Sequence, residues 1–121
     1  MKKAYFIALA LLLIGCASQE MIRVRQMDIQ NVNLSGIRDG EHIGSFSYGG
    51  FEYEVKTTVK AHRIVDINLL RNRDTKHAKM AEGVIPEMIK EQTPNVDAIS
   101  GATTTSKALM KAVENSLIGK K

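Results

Sequence analysis

The chain has 121 residues, 44% hydrophobic and 25% charged, with one cysteine and a formal net charge of +4. That length suits one small domain, and a lone cysteine excludes an internal disulfide, dithiol redox chemistry and a thiolate metal cluster. The positive balance is no sign of nucleic-acid binding, because Lys2 and Lys3 lie in an N-terminal leader; without them the 17 basic and 13 acidic residues leave only +2.

Residues 1–15 read as an export signal. Met1-Lys2-Lys3 is a short basic start, and Ala4 to Ile14 is an apolar run. It is shorter than the ~20 residues that a membrane-spanning helix needs. Leu13-Ile14-Gly15-Cys16 resembles a bacterial lipobox. The resemblance implies that Cys16 is lipid-modified and becomes the mature N-terminus. It also implies an exported chain held on the extracytoplasmic face of a bacterial membrane. No Asp follows Cys16, which in lipoprotein sorting points to the outer membrane where the host has two. Residues 16–27 are then a lipid-anchored tether, with a short strand open at Ile22 and Val24, and residues 28–121 form the domain.

Within that domain Ile29, Val32 and Leu34 mark a first strand or a docked edge segment. Asp39-Gly40 is a turn signal, and Glu41 to Tyr48 reads as a strand. Gly49-Gly50 suits a hairpin turn. Phe51 to Lys60 alternates most clearly, with Phe51, Tyr53, Val55, Thr57 and Val59 on one face. Ala61-His62-Arg63 turns the chain into a partner strand, Ile64 to Leu70, expected to point Val65, Ile67 and Leu69 inward. After a charged loop, His77 to Gln92 has helical spacing with Met80, Val84, Met88 and Ile89 on one face. Gly83 and Pro86 interrupt it, so two short helices or one kinked helix are expected, with Pro86 near the start of the second. His42, His62 and His77 are isolated and read as surface histidines. The fold class is α+β, a small antiparallel sheet with helices packed against it.

The stretch Asp97-Ala98-Ile99-Ser100-Gly101-Ala102-Thr103-Thr104-Thr105-Ser106 organises the rest. Small residues are followed by four hydroxyl side chains in a row. Ala108, Leu109, Ala112, Val113 and Leu117 then follow the spacing of a one-sided helix, and Gly119 is a stop signal. The hydroxyls therefore stand at the positive end of a helix, where free N–H donors and the dipole favour a phosphate. An ordinary helix cap has the same composition.

Asp97, Ser100, Gly101, Ala102 and Thr103 resemble the D-x-x-[ST]-G-A-T signature of the bacterial FMN-binding domain family. That family includes the C subunit of the sodium-pumping NADH:quinone reductase and the G subunit of the Rnf complex. Thr105-Ser106 matches its common extension. Ile37-Arg38-Asp39-Gly40 with Gly44 resembles its opening element, and Glu54 to Leu70 its hairpin. The family carries D-G-K where this chain has Ala61-His62-Arg63.

The resemblance implies an FMN joined by a phosphoester to Thr103 and installed by a separate FAD-dependent flavin transferase of the ApbE type. On that reading Ser100, Gly101 and Ala102 shape the turn, while Thr104, Thr105 and Ser106 are candidate phosphate donors. Asp97 serves transferase recognition or orients the turn. Without the motif's register, Thr104 rivals Thr103 as acceptor. Tyr48, Phe51, Tyr53, Met80 and Met88 are available to a flavin ring, but residues of these types are more often core. No catalytic residue and no metal ligand is assigned.

The implied function is an extracytoplasmic electron carrier, a substrate of the transferase and not an enzyme on its own. Its redox donor and acceptor are unidentified partners. Two other readings stay open: a non-covalent binder of FMN or another phosphate-bearing ligand, and a non-redox envelope lipoprotein.

Overall fold

Three strands follow one another as an antiparallel meander, β1 (Gly40–Tyr48), β2 (Phe51–Lys60) and β3 (Arg63–Arg71), in the order β1-β2-β3. The coordinates are a computed structural model that describes residues 19–120. The export signal, Cys16 and the beginning of the tether lie outside the described residues.

The central strand shows why the sheet has one dry side. Tyr53, Val55, Thr57 and Val59 are buried, and the residues between them are at least partly exposed. Each turn is two residues long. Gly49 and Gly50 both take positive φ, as a tight hairpin of this hand requires. Ala61 and His62 do so as well, at +50° and +63°, although a side chain makes that conformation costly.

β3 departs from simple alternation. Ile64 and Ile67 are buried, whereas Val65 is 50% exposed. The cause is a register shift: Val59 pairs with Ile64 and Thr58 with Asp66, which leaves Val65 as an extra residue. A second shift, between the pairs Glu54–Arg71 and Val55–Leu69, puts Leu70 outside in the same way.

The long helix α4 (Thr103–Ile118) covers the dry face. It crosses β1 so closely at Gly44 that a Cβ there would overlap the backbone of Ala112 and Ser116. Ser116 Oγ donates to Thr57 Oγ1 at 2.8 Å, and Asn115 Nδ2 donates to the Ser45 carbonyl at 2.8 Å. The expected apolar stripe is buried, but so are Met110, Glu114, Asn115 and Ser116. The helix is covered on a second side because residues 27–37 run over it. Ile29 is buried, Lys107 Nζ donates to the Met27 carbonyl, and the Gln30 N–H donates to Glu114 Oε1. This stretch is a docked segment with one 3₁₀ turn, Leu34–Gly36, and no strand.

Residues 19–26, where a strand was open on sequence grounds, form a helix, α1. It is docked, with Val24 buried in the core. The break at Gly83 separates α2 (Lys76–Ala81) from α3 (Val84–Glu91), and Pro86 sits in the first turn of the latter. There proline costs little, since a helix's first N–H groups have no partner inside it. α2 buries Ala78 and Ala81, while Met80, expected inside, is 41% exposed. Gln92 ends α3 in the left-handed region and clamps it to β3, bonding both the N–H and the carbonyl of Ile64. Among the described residues no helix is long and apolar enough to cross a membrane.

Candidate functional site

The loop from Asp97 into α4 is shaped from within. The Ala102 N–H donates to the Ile99 carbonyl at 2.9 Å, and Gly101 supplies the positive φ of +82° that this turn requires. Ser106 Oγ accepts the Ile99 N–H at 3.1 Å. Asp97 is exposed, lines a depression with Glu87 and Glu91, and is not among the residues of the cleft at the head of α4. So it is the Ser106 hydroxyl, and not Asp97, that accepts a backbone N–H to hold the turn.

The residue at the head of α4 is Ala102, which has no side chain to cap the helix. A Ser or Thr cap, the ordinary explanation of such a sequence, is therefore not what is found. The four hydroxyls have separate fates. Thr104, 8% exposed, accepts the Arg25 Nε–H at 2.8 Å. Thr105, also buried, stands close to the Tyr53 phenol. Ser106 is fully buried and holds Ile99. Thr103 is half-buried and faces a cleft of about 300 Å³.

That cleft also receives Met21 and Arg25 from α1, Tyr48 from the end of β1, Arg73 from the β3–α2 loop and His77 from α2. Arg73 stacks its guanidinium on the Phe51 ring, 3.7 Å from the centroid. Neither Arg25 nor Arg73 is in an ion pair with a described carboxylate. A second depression of about 180 Å³, lined by Glu20, Met21, Tyr48, Gly49, Phe51 and Arg73, shares three of its residues with the first.

Behind this end, Tyr48 and Tyr53 stack at 5.8 Å with their rings 8° apart, and Phe51 meets Tyr48 edge-on at 6.1 Å. The Tyr53 hydroxyl donates to that of Tyr48 at 3.4 Å. Burial first, and then Tyr48, push the Tyr53 phenol well above its ordinary range. It is a neutral group at any physiological pH.

Sequence reasoning brought Gly101, Ala102, Thr103, Thr104 and Thr105 to one place, and the structure does too. It did not find Arg25, Arg73, Met21 or His77. An arginine among polar residues carries no periodic signal, and His77 read as a surface residue. Ser106 and exposed Ser100 do not line the cleft.

An uncapped helix N-terminus flanked by two guanidiniums suits a phosphate, and the adjoining aromatic ledge suits a planar ring. The site therefore defines an α+β domain for a ligand that joins a phosphate to an aromatic system. The sequence-family model described as the FMN-binding domain matches residues 48–118, more than half of the chain, and the chain belongs to that family. FMN is its cofactor, and the residues present fit both ends of that molecule.

Proposed function

We propose that this chain is an exported, lipid-anchored electron carrier whose FMN is esterified to the Thr103 hydroxyl by a separate flavin transferase. One observation carries the choice of oxygen: of the four consecutive hydroxyl residues, Thr103 alone is not buried, and it lines the cleft with no hydrogen bond from its hydroxyl to another described residue. Thr104, its rival by sequence, is buried and held by Arg25. An unaided threonine hydroxyl is a weak nucleophile, and among the described residues no side chain is hydrogen-bonded to this one to activate it. The chain thus suits the part of acceptor, with activation supplied by the transferase, and exposed Asp97 suits a recognition contact.

FMN, when bound, supplies one- and two-electron chemistry. The chain's own residues position and neutralise. The N–H groups of the first turn of α4 and the Arg73 guanidinium balance phosphate charge. Tyr48, Phe51 and Met21 offer an apolar ledge, and neutral Tyr53 backs it without adding charge. Cys16, through its lipid, keeps the carrier at the membrane where its donor and acceptor work.

Co-expression with a flavin transferase tests this. Fluorescence should stay with the polypeptide on a denaturing gel, survive in Thr104→Val and disappear in Thr103→Val. Colour lost on denaturation of the wild type would favour the non-covalent reading.

A further inference from the structure

Helix α1 lies outside the family-matched region of residues 48–118, yet it forms part of the cleft. Three independent contacts seat it. Glu20 Oε1 accepts the Gly49 N–H at 3.0 Å at the β1–β2 turn. Val24 enters the core, and Arg25 Nε reaches Thr104 at 2.8 Å. An isolated helix of this length is unstable in water, so these contacts are what keep it formed.

Arg25 is exposed, and its side chain both ties α1 to Thr104 and lines the cleft. A guanidinium carries five N–H donors in a fixed plane. One of them reaches Thr104, and no carboxylate among the described residues pairs with the charge. Arg25 lines the same cleft as Thr103, with Met21 one turn earlier on the same helix. A tie to Thr104 alone could be made by a neutral donor. Because Arg25 is exposed, its remaining donors are open to an anion in the cleft, where no described carboxylate neutralises the charge.

We infer that α1 is a clamp of the flavin site, in which Arg25 binds the FMN phosphate and so couples cofactor occupancy to the order of residues 19–26. This rests on FMN occupying the cleft described above, but not on the ester to Thr103. A domain cut at residue 28, the boundary that sequence suggests, lacks the clamp.

Amide hydrogen exchange on the full-length chain tests the inference. Exchange is compared without ligand, with FMN and with riboflavin, which has no phosphate. FMN should slow exchange of the amides at residues 23–26 by about tenfold, as a charge-assisted bond to the helix allows. Riboflavin should not. Arg25→Gln should abolish the slowing at 23–26 while β2 amides remain protected. Arg23→Gln, two residues away on the same helix and not lining the cleft, should leave the slowing intact. Equal slowing by riboflavin, slowing that persists in Arg25→Gln, or none with FMN would each overturn it. Intact mass of the same samples reports separately whether FMN is esterified, so failure of the covalent reading is distinguishable from failure of this one.

Discussion

The Ser106 hydroxyl accepts the backbone N–H of Ile99 at 3.1 Å, so a side chain in the first turn of α4 fixes the loop that leads into it. The bond spans seven residues and encloses Gly101. It holds Thr103 at the mouth of the cleft while its own oxygen stays fully buried. Ser106→Ala should lower stability by about 1–2 kcal/mol, because a half-buried N–H loses its partner. Urea denaturation reads the loss, and faster exchange at the Ile99 amide locates it. Flavin loading of this variant should slow, although Ser106 does not touch the cleft.

Gly44 is where helix and sheet come closest. Any side chain at this position meets the backbone of Ala112 and Ser116, which cannot move without shifting α4. Gly44→Ala should therefore cost about 3 kcal/mol or more, at the upper end for overpacking. A chemical denaturation midpoint measures it, and an unchanged midpoint would mean that the helix crosses less tightly.

Ala61 and His62 hold a conformation better suited to Asn and Gly. The double replacement Ala61→Asn with His62→Gly should stabilise the hairpin by about 1–2 kcal/mol, since it relieves two unfavourable backbone conformations. For a domain of this size that raises the melting temperature by roughly 5–10 °C. The Ala61 N–H already donates to Asp39 Oδ1 at 2.9 Å, and the replacement keeps that bond.

Tyr53 predicts the alkaline behaviour. Its folded phenol titrates above the unfolded value of 10.0, so the folded state holds the proton longer. Its contribution is fully present below that pH and is lost as pH rises above it. Stability should fall from about pH 10 upward, by at most about 1.4 kcal/mol per pH unit from this group. Tyr53→Phe should remove that part of the slope, as thermal melts at stepped pH would show.

How far residues alone reach depends on whether the signal is local. The alternation from Phe51 to Lys60 gives β2 its bounds because each side chain reports its own face. On β3 the same logic fails at Ile64 and Val65, where pairing with β2 slips by one residue and no residue announces the slip. The helix after Ala102 is legible from its spacing, but its burial on a second side is not. That comes from residues 27–37 folding over it, a contact far away in sequence. At the site the motif brings forward the hydroxyls, and their separate fates emerge only in three dimensions. Arg25 and Arg73 are 48 positions apart in sequence and meet only because α1 and the β3–α2 loop converge on the head of α4.

The most direct test of the central claim is peptide mapping by mass spectrometry of the mature protein purified from cells that contain its transferase. The account predicts one FMN per chain, joined through phosphate to the side chain of Thr103, and none in Thr103→Val. A flavin on Thr104, or a chain that carries no covalent nucleotide under those conditions, would contradict it.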